Sequence, residues 1–344
     1  MRTQNQTVTK KIGMEIKDNG IVGVVGLGLM GASIVTALLL NGQKVIALAP
    51  IESDLDKSAK KRIRKSLEEC NSQGITTSIP EELLNNITFT TSYNDLKCCW
   101  IVMECVIENL EIKKKIYENI EKVVDVNVII TSNTSAIPIS TLQGHLKVPQ
   151  RFFGMHWAEP AYTTRFLEIV CGKKSPEKIG EKLYKIAVSW GKEPTLIRKD
   201  IQGFITNRLM YSLYREAFYL VENGYATIED VDRACKNDAG HWLTFCGPFR
   251  YMDLTGLQAY HAVMKNLFEN LSNSTQVPKL INDIAQSGGN GIFNGKGFYN
   301  YTAEESKAWE LAFEKFAFDI NRLSTKYLEE TNSITSGILK KEIQ

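Results

Sequence analysis

No stretch of this 344-residue chain approaches the roughly 18–20 consecutive apolar residues needed to span a bilayer. Residues 1–20 also lack the apolar run of roughly 7–15 residues that marks a secretory signal. No membrane association is therefore expected, and the expected location is cytoplasmic. Excess charge is missing too: 41 Lys and Arg against 39 Asp and Glu leave a net +2, which supplies no global field for nucleic acid or an anionic membrane surface. The seven cysteines, at 70, 98, 99, 105, 171, 235 and 246, form no CxxC pair and no Cys/His cluster. Reduced, buried thiols and no bound metal are the expectation. Repeats and low-complexity tracts are absent as well. What is present is a 43% hydrophobic composition and enough length for two domains.

The first half alternates. After a polar arm over residues 1–20, IVGVV reads as a strand, LMGASIVTALLLNG as a helix ended by Gly42, and KVIALA as a second strand. A basic amphipathic helix, SDLDKSAKKRIRKSLEEC, precedes the short strand ITFT and then CWIVMECV, a continuous apolar run of the kind found in buried parallel strands. LEIKKKIYENIEKVV (helix) and NVIITS (strand) follow. Such alternation implies a Rossmann-type α/β doubly wound sheet over residues 21–200. From Gly203 onward every periodic segment is helical, so an all-α C-terminal domain is expected over residues 201–344, with the boundary near Lys199–Gln202. Its last amphipathic helix carries Trp309, Phe313, Phe316 and Ile320 on one stripe, suited to core or partner packing.

GLGLMG has Gly26, Gly28 and Gly31 in the spacing G-x-G-x-x-G, follows a strand and opens a helix. Gly26 permits the tight turn, Gly28 lets the backbone approach a pyrophosphate, and Gly31 allows close packing. The anion would then sit over Leu29, Met30 and Gly31 at the helix N-terminus. NAD is the expected cofactor. At the end of the second strand, where an NAD site carries Asp or Glu, this chain has Ala49 and Pro50. Either Glu52 or Asp54 substitutes from the loop, or the pocket tolerates a ribose phosphate, and NADP stays open.

Four stretches, MECVIENLEIKKK, TSNTSAI, GMHWAEPAYTTRFLEIV, and QGFITNRL with the downstream GPFRYMDLTGL, occur in one order and register. Together with the terminal GKGFYNY they resemble the L-3-hydroxyacyl-CoA dehydrogenase family over roughly residues 21–301. The resemblance implies oxidation of a 3-hydroxyl to a ketone, with hydride passed to a nicotinamide and the proton to a histidine. That histidine matches His156, and its carboxylate partner matches Glu168. An imidazole suits proton exchange near neutral pH, and a carboxylate on its far nitrogen fixes the tautomer. Ser135 matches the serine that hydrogen-bonds the substrate oxygen, and Asn207 the asparagine that orients the substrate. Glu108 and Lys113 match positions near the nicotinamide; from the residues alone they read as a solvated helix start. A homodimer through the helical domain is also implied.

Three departures stand out. Beside Ala49, Glu159 occupies a position where the family has asparagine, and Phe293 replaces a lysine before the terminal signature. A carboxylate at Glu159 would favour the cationic form of His156 and repel a developing oxyanion; alternatively it turns away and pairs with Arg165. For acyl-CoA, the helix bearing Lys57, Lys60, Lys61, Arg62, Arg64 and Lys65 offers cations for phosphates, and Ser66 matches a CoA-contacting serine. Such a charge run is equally a solvated face. Three readings stay open: an acyl-CoA dehydrogenase, a dehydrogenase of a free or cationic 3-hydroxy acid, and a dinucleotide-binding relative with little turnover.

Overall fold

The computed structural model describes residues 20–51 and 58–342, with side chains described through residue 327. The polar arm up to residue 19, and Glu52, Asp54 and Lys57, lie outside the described residues. The chain divides into two compact units, one ending at Ile205 and the other starting at Thr206.

The first unit is an eight-stranded sheet with helices: β1 (Ile21–Val25), α1 (Leu29–Leu40), β2 (Val45–Leu48), α2 (Ser58–Ser72), α3 (Pro80–Leu84), β3 (Ile87–Thr90), β4 (Cys99–Glu104), α4 (Leu110–Val123), β5 (Ile129–Ser132), α5 (Ile139–Gln143), β6 (Phe152–Trp157), β7 (Phe166–Cys171), α6 (Glu177–Ser189) and β8 (Glu193–Ile197). Strand order is β3-β2-β1-β4-β5-β6-β7-β8, and the strands are parallel apart from the antiparallel β6–β7 pair. β1 and, up to Met103, β4 read as apolar runs because both sheet faces are covered, and all four residues of β5 are buried as well. α4 starts where Asn109 Oδ1 accepts the Ile112 amide at 3.1 Å, and it buries Ile116, Tyr117 and Ile120 on one face. The doubly wound α/β expectation holds. The sequence pattern did not single out β6, β7 and β8 as strands, and those are the strands that extend the sheet toward the candidate site.

The second unit is helical: α7 (Thr206–Glu222), α8 (Ile228–Asn237), α9 (Ala239–Leu243), α10 (Pro248–Thr255), α11 (Leu257–Leu267), α12 (Lys279–Gln286) and α13 (Ala303–Glu342). The terminal signature before α13 forms two isolated bridges, Gly291 to Lys296 and Lys296 to Asn300, and not a strand. Phe293 lies exposed beside them. Of the cysteines, 70, 99 and 171 are buried and 98 is exposed, a correction to uniformly buried thiols that follows from its place in the turn entering β4. Burial pushes the Cys70 thiol up to about 12, which keeps it protonated and unreactive. No described helix is long and apolar enough to cross a membrane.

Candidate active site

The glycine loop joins β1 to α1, and each glycine has a separate reason to be there. Gly26 has φ +97°, a conformation that side chains rarely adopt. A Cβ on Gly31 would lie 1.8 Å from the Gly26 carbonyl oxygen, so the helix could not close on the turn. Gly28 faces open space, with nothing within 4 Å of a built Cβ. It is also the N-cap of α1, offers no side-chain cap, and no acid stands in the first turn. The first amides of the helix, at exposed Leu29, partly buried Met30 and Gly31, are therefore available to an anion at the positive end of the dipole. These residues fit a dinucleotide pyrophosphate. Ala49 is fully buried past the end of β2, its amide donating to Thr90 O at 2.9 Å. From α2, Arg62 Nη2 reaches the Leu27 carbonyl at 3.4 Å and Lys60 sits 5.0 Å from the Phe89 ring centroid.

Past β4 lies a buried polar knot. Lys113, on α4, donates to both Glu104 oxygens at 2.8 and 3.0 Å and lies 3.2 Å from Glu108 Oε2. Glu104 also accepts from the Tyr117 hydroxyl at 2.7 Å, the Ser132 hydroxyl at 2.7 Å and the Val106 amide at 2.7 Å. Glu104 and Lys113 are buried, which overturns the solvated-helix alternative for Lys113: the α4 start faces the sheet, not water. Burial pushes the Glu108 carboxyl up, yet the Thr134 hydroxyl, the Lys113 charge and the Ala136 amide outweigh it and hold it below its ordinary value. The knot ties β4, α4 and the turn after β5 together, and Ser135 lies exposed in that turn. Glu104 was missed in the sequence. Its signal was an acid ending an otherwise apolar strand, which cannot be buried without partners.

His156 and Glu168 are directly opposed residues on β6 and β7. The twelve-residue spacing is therefore the length of an antiparallel turn-back that places both side chains on one sheet face. His156 Nδ1 lies 2.8 Å from Glu168 Oε2. The other carboxylate oxygen, Oε1, accepts the Ile205 amide at 3.0 Å, so the acid is held at both ends. Glu168 is fully buried and the His156 side chain 12% exposed. Phe166 and Phe204 rings flank the imidazole at 5.5 and 5.7 Å. With Nδ1 committed to the carboxylate, Nε2 is the nitrogen that can take a proton. Next along the chain, the Trp157 amide donates to Asn133 Oδ1 at 2.8 Å, fixing β6 to the end of β5.

The connection from β6 to β7, residues 158–165, is clamped from two sides. Ser33, on α1, accepts the Ala161 amide at 2.7 Å and donates to the Glu159 carboxylate. Glu159 is exposed overall, yet enough protein surrounds its carboxyl for desolvation to raise its pKa against that hydrogen bond. Of the two readings of Glu159, the alternative of a pair with Arg165 is corrected in its partner: Arg165 Nε lies 3.6 Å from Glu193, and Glu159 turns to Ser33 on α1. From the other side Lys192 donates to the carbonyls of Ala161 and, at 2.6 Å, Thr164, with its ammonium 5.2 Å from the Trp157 ring centroid. The Ser66 and Tyr162 hydroxyls are hydrogen-bonded, which ties α2 to the same connection. Elsewhere on α2, Arg64 pairs with Glu81 and Lys65 with Glu69 at 3.0 Å. Asn207 belongs to the second unit, where it is the second residue of α7.

Residues 21–201 match the family model described as the 3-hydroxyacyl-CoA dehydrogenase NAD-binding domain, and residues 203–301 match its C-terminal domain. The chain belongs to the 3-hydroxyacyl-CoA dehydrogenase family. It is an oxidoreductase, and NAD is its cofactor. Among relatives, a 3-hydroxybutyryl-CoA dehydrogenase of Mycobacterium tuberculosis is 33% identical, over 81% of this chain and 98% of its own length. The 5-formyl-3-hydroxy-2-methylpyridine 4-carboxylate 5-dehydrogenase of Mesorhizobium japonicum is 31% identical over 83% of this chain and 92% of its own. The crystal structure of a dehydrogenase acting on that pyridine acid, described as an NAD+-dependent dismutase, matches over 89% of this chain and 98% of its own at 28% identity, with a TM-score of 0.83. For the (S)-3-hydroxybutyryl-CoA dehydrogenase of Ralstonia eutropha the TM-score is 0.69 at 30% identity, covering 82% of this chain and 99% of that one.

Proposed function

We propose that this dehydrogenase interconverts an L-3-hydroxyacyl-CoA and the 3-oxoacyl-CoA, with His156 as the general acid–base. The opposed His156–Glu168 pair carries the reading, because a buried carboxylate held by the Ile205 amide keeps a proton on Nδ1 and leaves Nε2 to accept another. Bound NAD supplies the hydride acceptor. His156 Nε2 removes the hydroxyl proton as the ketone forms, and Glu168 stabilises the resulting imidazolium. In reverse, the same nitrogen returns the proton. Ser135 hydrogen-bonds the reacting oxygen and Asn207 orients the substrate, in the roles the family resemblance gives them. The amides at Gly28, Leu29, Met30 and Gly31 hold the pyrophosphate, and Glu108 with Lys113 shapes the nicotinamide end. The helical unit contributes to a homodimer in the cytoplasm.

A second reading is favoured by the higher TM-score with the pyridine-acid enzyme and by the Arg64 and Lys65 pairs, which leave fewer cations for CoA phosphates. In it the substrate is a free acid with no thioester. One assay separates the two: NADH and NADPH absorbance followed with acetoacetyl-CoA, free acetoacetate and the pyridine acid. Turnover of the thioester is expected, with kcat in His156→Ala lower by about 10²–10⁴-fold. Turnover of free acids only would remove the CoA assignment, and full activity in the alanine variant would remove His156 as the base.

A further inference from the structure

In a doubly wound sheet the adenosine ribose falls past the end of the second strand, where an acid takes its hydroxyls and a nearby Arg instead serves a 2′-phosphate. Here β2 ends at Leu48, and the next residue, Ala49, is fully buried with its amide on Thr90 O. That position supplies no carboxylate.

Two cations stand on either side of it. The strand order β3-β2-β1 puts the end of β2 between the glycine loop leaving β1 and the last residues of β3. Arg62 reaches the first of these, with Nη2 3.4 Å from the Leu27 carbonyl inside the loop, and Lys60 the second, 5.0 Å from the Phe89 ring centroid. The helix dictates this placement. α2 buries Ala59 and Ile63, and at about 100° per residue Lys60 and Arg62 flank that buried stripe on opposite sides while Lys61 faces away. The first turn of α2 holds no acid. Among the described residues no carboxylate pairs with Lys60 or Arg62, whereas Arg64 and Lys65 further along are taken by Glu81 and Glu69. A ribose diol makes little use of two such charges. A phosphate dianion does, through charge-assisted hydrogen bonds roughly twice as strong as neutral ones.

We infer that this end of the site takes a 2′-phosphate, so that the enzyme binds NADPH as well as NADH, with Arg62 and Lys60 as the residues that admit it. This goes beyond the NAD of the family match. An acid after β2 would exclude the phosphate by like-charge repulsion; Ala49 removes the repulsion and the two cations add attraction. The α1 amides serve the pyrophosphate of either dinucleotide. Because CoA also carries a ribose phosphate, at its 3′ position, the test must tell the two phosphates apart.

The test is fluorescence titration of the full-length protein with NADH and NADPH, comparing native, Arg62→Gln, Lys60→Gln and, as a charge control on the outward face, Lys61→Gln. Bound NADH is then displaced with 5′-AMP, adenosine 2′,5′-bisphosphate and adenosine 3′,5′-bisphosphate. Native protein is expected to bind NADPH with a Kd within about tenfold of that for NADH. Arg62→Gln should raise the NADPH-to-NADH ratio of Kd values by about 10–100-fold. Lys60→Gln should raise it less, and Lys61→Gln should leave it unchanged. The 2′,5′-bisphosphate should displace NADH better than 5′-AMP or the 3′,5′-bisphosphate. NADPH bound more than about tenfold weaker than NADH, as an acid from the loop after β2 would produce, overturns the inference. So does a ratio that Arg62→Gln does not move, a ratio that Lys61→Gln moves equally, or equal displacement by the two bisphosphates.

Discussion

The two units bury their side chains very differently. Up to Ile205 the sheet is filled on both faces by residues that are almost wholly buried, from Val22 and Ile34 to Phe152 and Trp190, and even its buried carboxylates, Glu104 on Lys113 and Glu168 on the His156 ring, have partners inside. From Thr206 on, Phe318 is the one fully buried side chain among the described residues, while Tyr211, Phe249, Phe268 and Phe313 lie exposed. A unit that removes little apolar surface from water cannot offset the entropy of ordering its chain. The first unit is thus a self-supporting body able to hold precise chemistry, and the second is a set of amphipathic helices whose apolar faces call for further contact.

The largest effect should come from separating them. A piece ending at Ile205 keeps the Glu168–Ile205 bond and is expected to unfold cooperatively and bind NADH, whereas residues 206–344 alone, at micromolar concentration, should melt without a cooperative transition by circular dichroism. A sharp, concentration-independent transition in the helical piece would break the comparison. Next in size is Glu104→Ala, which leaves the buried Lys113 ammonium with Glu108 as its remaining carboxylate and takes the acceptor from the buried Tyr117 hydroxyl. Denaturant titration should show a loss of about 3–5 kcal/mol. A cost within that of an exposed substitution would mean that the knot is wet.

A smaller effect sharpens the picture through pH. Burial, with Arg165 adding to it, pushes the Lys192 amine down to about 8. In the unfolded chain it returns to about 10.4. Between those values the unfolded state binds more protons, so stability rises with pH through this window and is lost as pH falls through about 8. Relative to Lys192→Met, the native protein should gain about 2–3 kcal/mol from pH 7.5 to 10, measured by guanidinium melts. Identical slopes in the two proteins would count against a buried ammonium.

Much of this was legible beforehand, and the unread parts share a cause. GLGLMG announced its turn because strand, glycines and helix are consecutive, and the structure adds only that Gly31 is compelled by the Gly26 carbonyl. His156 and Glu168 were nominated by motif register, but the Ile205 amide comes from 37 residues further on. Lys192 sits in SWGKEP, which reads as an ordinary surface turn, and becomes a clamp only because the Ala161 and Thr164 carbonyls fold over it. Glu159 looked like a partner for His156 or Arg165, and instead receives the hydroxyl of Ser33.

Local pattern determined the alternating α/β half, the glycine turn, the helical half and the apolar stripe along α13, because periodicity and backbone freedom act between neighbours in the chain. Only the tertiary structure decided which side of the sheet each polar group faces. Burial of a charge depends on partners brought from distant segments, and the energy of an unpaired group inside the fold is large enough to choose among arrangements that look alike in the sequence.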